Sequence, residues 1–116
     1  MRQSLLFSPI QVGSMMLKNR ITVPPMCQYQ AKDGLPTTWH HVHYGKLAGS
    51  GASLVCIESV GVAAEGRLTI GCLGLWNDEQ TEAFAGILGG AADAPLEIPD
   101  NDYYYPEEGY NQDYYY

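Results

Sequence analysis

Two consecutive prolines, Pro24 and Pro25, close the β-branched run Ile21-Thr22-Val23 and set where the first strand of this chain must stop. Neither can donate to a strand ladder, so the backbone leaves the sheet there. It carries out Met26-Cys27-Gln28-Tyr29, a thiol and a phenol just past the strand's carboxyl end. A second apolar run, Ser53-Leu54-Val55-Cys56-Ile57, lacks alternation and reads as a strand covered on both faces. Between the two runs, Asp33-Gly34 marks a turn, and Thr37 or Thr38 suits the N-cap of a helix reaching Leu47 or Ala48. Gly49-Ser50-Gly51 supplies its stop.

Glycine-rich loop material follows from Gly61 to Leu75. Asn77 or Asp78 then caps a second helix, with Glu79 and Glu82 near its positive end. Ala83, Phe84, Ile87 and Leu88 give that helix an apolar face, and Gly89-Gly90 ends the pattern. The order strand, helix, strand, helix predicts parallel β/α units. Ahead of them, Ile10-Gln11-Val12 and Met15-Met16-Leu17-Lys18 around Gly13-Ser14 read as a small hairpin.

Charge divides the chain in two. The net charge of -7 lies wholly in residues 93–116, which hold seven acids and no base; residues 1–92 balance six bases against six acids. The tail also carries seven of the nine tyrosines, and no helical or strand period holds across it. Residues 1–92 therefore carry the patterned segment, with too few elements to fold well alone, and 93–116 are expected to form a disordered acidic, tyrosine-rich tail. No basic patch is present to neutralise phosphates, which excludes nucleic acid as the expected partner. The acidic balance also argues against anionic membranes, and no stretch reaches the length of a membrane span. Three widely spaced cysteines, Cys27, Cys56 and Cys72, make a poor disulfide framework and a poor zinc site. The apolar stretch Leu5-Leu6-Phe7 before Pro9 is too short for a signal peptide, so a cytoplasmic setting is expected.

Leu17-Lys18-Asn19-Arg20, Pro24-Pro25-Met26-Cys27-Gln28-Tyr29 and Leu35-Pro36-Thr37-Thr38-Trp39-His40 occur in order and at plausible spacing. Over roughly residues 5 to 88 the chain resembles the old yellow enzyme family of flavin-dependent ene-reductases, in the branch with a cysteine beside the flavin. The resemblance implies an α/β fold, the N-terminal portion of a TIM (β/α)8 barrel, with the hairpin plugging its bottom. Ile21–Val23 and Ser53–Glu58 would be its first two strands. A whole barrel of this kind needs about 250 residues.

By that resemblance FMN is the cofactor and NAD(P)H the hydride donor, and an activated alkene is reduced. Pro25, Met26 and Cys27 would contact the flavin, with Cys27 tuning its redox behaviour. Tyr29 would hydrogen-bond the carbonyl oxygen of the substrate, and Gly61 would lie where a side chain would obstruct the flavin. The pair that binds the substrate oxygen from a later strand, the proton-donating tyrosine and the phosphate-holding loops of the family have no counterpart in this sequence. Two readings therefore stand beside the enzyme: a truncated, non-enzymatic remnant with a foreign acidic tail, and a binding protein whose tail meets a basic surface.

Plainer readings apply to other residues. Cys56 is expected in the core, and Cys72 stands where the family is expected to have an acid. His40, His41 and His43 invite a metal, but no third ligand or supporting shell is evident, so no metal is expected. The family instead has a structural helix at Trp39, His40, His43 and Tyr44, where packing and capping are expected. Glu58 ends a strand on the ligand face and reads as a hydrogen-bonded structural acid rather than a lone catalyst. Glu65-Gly66-Arg67 is expected to hold its loop by an ion pair or by backbone bonds.

Overall fold

The computed structural model describes residues 4–92, so the expectations for the tail lie outside the described residues. Strand β1 (Ile10–Val12) pairs antiparallel with β2 (Met15–Leu17), with Ile10 opposite Leu17. Gly13 takes φ +58° in the connecting turn, a conformation that glycine adopts without a Cβ penalty. This is the expected hairpin.

Strand β3 (Thr22–Val23) lies parallel to β4 (Leu54–Val55), and α1 (Thr38–Ala48) connects them. The expected β/α/β unit is therefore present. Asn19 aligns its two strands. The Asn19 amide N–H donates to Ser53 Oγ at 2.7 Å, and Nδ2 donates to the Gly51 carbonyl at 2.8 Å. Asn19 Oδ1 accepts the N–H of Ile21 at 3.0 Å, so one side chain ties the entry of β3 to that of β4. Backbone bonds from Ser53 N–H to Ile21 O and from Cys56 N–H to Val23 O extend the ladder at both ends. Cys56, expected in the core, is only half-buried, because this two-stranded sheet is not covered on both faces.

The stretch from Gly61 to Leu75 is more ordered than a glycine-rich loop. Strand β5 (Val60–Gly61) runs parallel to β6 (Leu73–Gly74), with Gly61 opposite Gly74. Two small residues face each other there so that large ones can pack beside them. A Cβ on Gly61 would sit 2.8 Å from Arg67 Cγ, and one on Gly74 would collide with the Trp76 ring. The Arg67 guanidinium lies over that ring, 5.1 Å from its centroid. It also donates to the carbonyls of Ala64 (2.9 Å) and Ile70 (3.3 Å), so backbone bonds hold this loop.

Helix α2 (Asp78–Ala92) is capped by Asn77, whose Oδ1 accepts the Gln80 N–H at 2.9 Å. The helix runs through Gly89-Gly90, where the sequence suggested an end. The continuing backbone ladder outweighs a cost of about 1 kcal/mol per glycine. Phe84 and Ile87 of its expected apolar face are buried, whereas Leu88 is exposed. Phe84 meets Ala31 and the fully buried Leu73, with Ile57 and Val60 packed against them. Gln80 Nε2 reaches the Asp33 carbonyl at 3.2 Å, fastening α2 to the Asp33-Gly34 turn.

Candidate functional site

Pro24 and Pro25 take the chain out of β3 on the side of the strand's carboxyl end, as the sequence indicates. Pro25 and Met26 are exposed, Cys27 is half-buried and Tyr29 is exposed. Tyr29 adopts φ +56°, a left-handed conformation uncommon for a residue with a side chain. Its backbone lies directly on Gly71, where a Cβ would come within 2.6 Å of the Tyr29 carbonyl oxygen. The Ala31 N–H donates to Gly71 O at 2.9 Å and holds that approach.

A cavity of about 560 Å³ opens beside this contact, lined by Tyr29, Ala31, Lys32, Asp33, Thr69, Ile70 and Gly71. Of the candidate site residues only Tyr29 lines it. Pro25, Met26, Cys27 and Gly61 do not. Gly61 is buried in β5 against Arg67, which accounts for its lack of a side chain independently of any ligand.

Beneath the Met26–Tyr29 segment lies a buried polar cluster. The Glu58 side chain is fully buried, and its Oε2 accepts the Gln28 N–H at 3.0 Å. Its Oε1 accepts the Tyr44 hydroxyl at 3.0 Å, while that hydroxyl accepts the N–H of Glu58 at 3.0 Å. This agrees with the hydrogen-bonded role expected for Glu58. Burial is the main reason the Tyr44 phenol is pushed well above its ordinary range.

His40 completes the cluster. Thr37 N–H, which can only donate, gives its hydrogen bond to His40 Nδ1 at 3.0 Å, the reciprocal half of a capping box. The neutral ring must then carry its proton on Nε2, which faces Glu58 Oε1 at 3.5 Å. Burial lowers the His40 pKa below its usual value, and the neighbouring Glu58 opposes this only in part. His43 stacks edge-on against Tyr44, with ring centroids 5.0 Å apart, and His41 is exposed. Among the described residues no group of three His, Cys, Asp or Glu side chains is placed to hold a metal.

Cys72, placed by the sequence where an acid was expected, is buried and serves as an acceptor. Its Sγ takes the Thr69 N–H at 3.3 Å, which closes the 69–72 turn. The sequence did not reveal the Gln28 amide as part of the buried cluster, since a backbone donor leaves no mark in residue type. Gln80 was equally silent, for its partners are the Trp76 amide and the distant Asp33 carbonyl, both backbone groups, beside the cap it shares with Asn77.

A sequence model described as the NADH:flavin oxidoreductase / NADH oxidase family matches residues 5–91. The chain is 44% identical over 89 residues to the NADPH dehydrogenase of Listeria monocytogenes, covering 75% of this chain and 26% of that protein. To the NADPH dehydrogenase of Bacillus cytotoxicus it is 47% identical over 79 residues, 66% of this chain and 23% of the relative. Among solved structures, morphinone reductase in complex with tetrahydroNAD superposes with a TM-score of 0.72 at 26% identity, over 80% of this chain and 25% of that one. The old yellow enzyme homologue from Zymomonas mobilis gives a TM-score of 0.70 at 33% identity, over 78% and 25%. The chain thus spans about a quarter of the length of the relatives it matches. These neighbours are TIM-barrel enzymes, so β3, α1 and β4 correspond to the opening of such a barrel. With the match running through the hairpin, both β/α units and the Pro24–Tyr29 segment, the chain belongs to the NADH:flavin oxidoreductase / NADH oxidase family, as an N-terminal segment of the old yellow enzyme type.

Proposed function

We propose that residues 5–91 form one wall of the FMN site of an NAD(P)H-dependent ene-reductase, in the branch of the family that carries a cysteine beside the flavin. The observation that carries this reading is the exposed, apolar Pro25-Met26 surface with the half-buried Cys27 thiol, at the carboxyl end of β3. Such a surface suits the flat, weakly polar flavin ring, and parallel barrels bind ligands at this end of their strands. The described arginines are engaged elsewhere, Arg20 with Ser8 Oγ and Arg67 with two carbonyls and Trp76. These residues therefore fit the ring of FMN and not its phosphate.

FMN, when bound, supplies the acceptor and donor of the hydride that NAD(P)H brings. Pro25 and Met26 would cover the ring, and Cys27 would adjust the charge and hydrogen bonding around it. Tyr29 would donate its phenol proton in a hydrogen bond to the carbonyl oxygen of an activated alkene, polarising the double bond. Gly61, packed against Arg67, would leave backbone rather than side chain at the approach. We assign the protein to the cytoplasm; no helix among the described residues is long and apolar enough to cross a membrane.

The test is a chimera in which residues 5–88 replace the corresponding quarter of the Listeria monocytogenes NADPH dehydrogenase. The expected product is yellow and reduces a conjugated enone with NADPH. In it, Cys27→Ser shifts the flavin potential, and Tyr29→Phe lowers kcat/KM for the enone by about tenfold or more. A folded but colourless chimera, or one indifferent to both substitutions, would overturn the assignment.

A further inference from the structure

The Met26–Tyr29 segment is anchored in an unusual way. Among the described residues no backbone-to-backbone hydrogen bond joins residues 24–30 to another segment. Behind it, the Thr37 hydroxyl donates to Gln30 O at 3.1 Å and Ala31 bonds Gly71. In front stand two prolines without N–H groups. In the middle, the main chain has one anchor to a distant segment, the bond from Gln28 N–H to Glu58. The Gln28 side chain adds a bond from Trp39 Nε1 to its Oε1 at 3.0 Å, on an exposed face.

An acid is costly to bury unless donors converge on it. An apolar residue would fill the space under the loop at lower cost, so packing alone does not account for Glu58. Its burial is offset by two donors, one on each oxygen. Tyr44 supplies the first and, by accepting the N–H of Glu58 in return, fixes the direction of the side chain. Gln28 supplies the second, and it belongs to the loop.

We propose that Glu58 is a positioning residue for the Met26–Tyr29 segment: held by Tyr44, it takes the Gln28 amide and so sets where Cys27 and Tyr29 stand. The functional meaning of this clasp rests on the flavin-wall reading above, whereas its geometry does not. Cys27 and Tyr29 flank the clasped amide; Tyr29 keeps its packing on Gly71, so release of Gln28 frees Cys27 the more of the two.

The experiment measures iodoacetamide alkylation of Cys27 and Cys72 in the full 116-residue chain, resolved by mass spectrometry of their peptides. Cys72 is buried in the 69–72 turn, shares no hydrogen bond with Glu58, Tyr44 or Gln28, and serves as the internal reference. Glu58→Ala is expected to raise the Cys27-to-Cys72 rate ratio by about tenfold, the scale expected for losing one hydrogen bond to a charged acceptor. Glu58→Gln keeps an amide oxygen for the Gln28 N–H and is expected to restore most of the parent ratio. An unchanged ratio in Glu58→Ala overturns the proposal, whether both thiols stay slow or both become fast. So does a Glu58→Gln variant as reactive as Glu58→Ala. FMN forms a separate arm in the chimera described above: failure of the bound flavin to protect Cys27 there counts against the flavin wall and leaves the clasp standing.

Discussion

His40 shows how one residue serves two purposes. Its Nδ1 caps the first turn of α1, and its Nε2–H is turned toward the buried acid. Burial holds its pKa below the ordinary 6.5, so the fold favours the neutral ring. Above about pH 6.5 the ring is neutral in both the folded and unfolded chain, and its contribution is complete. As the pH falls below that value the unfolded chain takes up a proton first, so stability is lost progressively toward the folded pKa. The unfolding midpoint in urea is expected to drop between about pH 6.5 and 5. His40→Gln preserves a capping-box acceptor without a titrating ring, and its midpoint should fall less over the same range. Equal slopes for parent and variant would show that other groups govern the acid limb.

Helix α2 carries its apolar face and three glycines in the same turns. Phe84 buries the side toward Leu73 of β6 and Ile87 the side toward Tyr44 and Val55, while a Cβ built on Gly86 or Gly89 meets nothing within 4 Å. Neither glycine is needed for space, and each leaves the unfolded backbone more freedom to lose on folding. Gly86→Ala and Gly89→Ala are each expected to raise the unfolding free energy by about 0.5–1 kcal/mol, measured by urea titration monitored by helical circular dichroism. Destabilisation by either would mean that this part of the helix is not formed in solution. The contrast with Gly71 is instructive, since there a Cβ would press on the Tyr29 backbone. The same residue type marks unused freedom on one element and a required close approach between two others.

Across the described residues taken together, apolar surface is left open. Leu5 is 73% exposed, Phe7 and Met16 are each 66% exposed, and Ile70 is 86% exposed. Among the described residues, three separate two-stranded sheets leave unpaired edges. The 116-residue polypeptide is therefore expected to bind an apolar dye such as anilinonaphthalene sulfonate and to purify without colour. A stoichiometric yellow chromophore, or no dye fluorescence above that of a compact control protein, would contradict this.

Much was legible in advance. The hairpin, the strand ended by two prolines, the Asp33-Gly34 turn, and the caps at Thr37 and Asn77 follow from backbone constraints that act within a few residues. The family was legible for the same reason, because its words are local. The β5–β6 pair, the use of Cys72 as a turn acceptor and the Glu58 clasp were not. The β5–β6 pair and the Glu58 clasp depend on segments far apart in the chain meeting in space, and the Cys72 contact, though local, uses a backbone amide that residue type does not mark. Chain-local stereochemistry alone thus determined where the backbone turns, starts and stops. Only the folded arrangement decided which buried acid, sulfur or glycine each turn would meet, because burial and hydrogen-bond pairing are properties of three-dimensional neighbours.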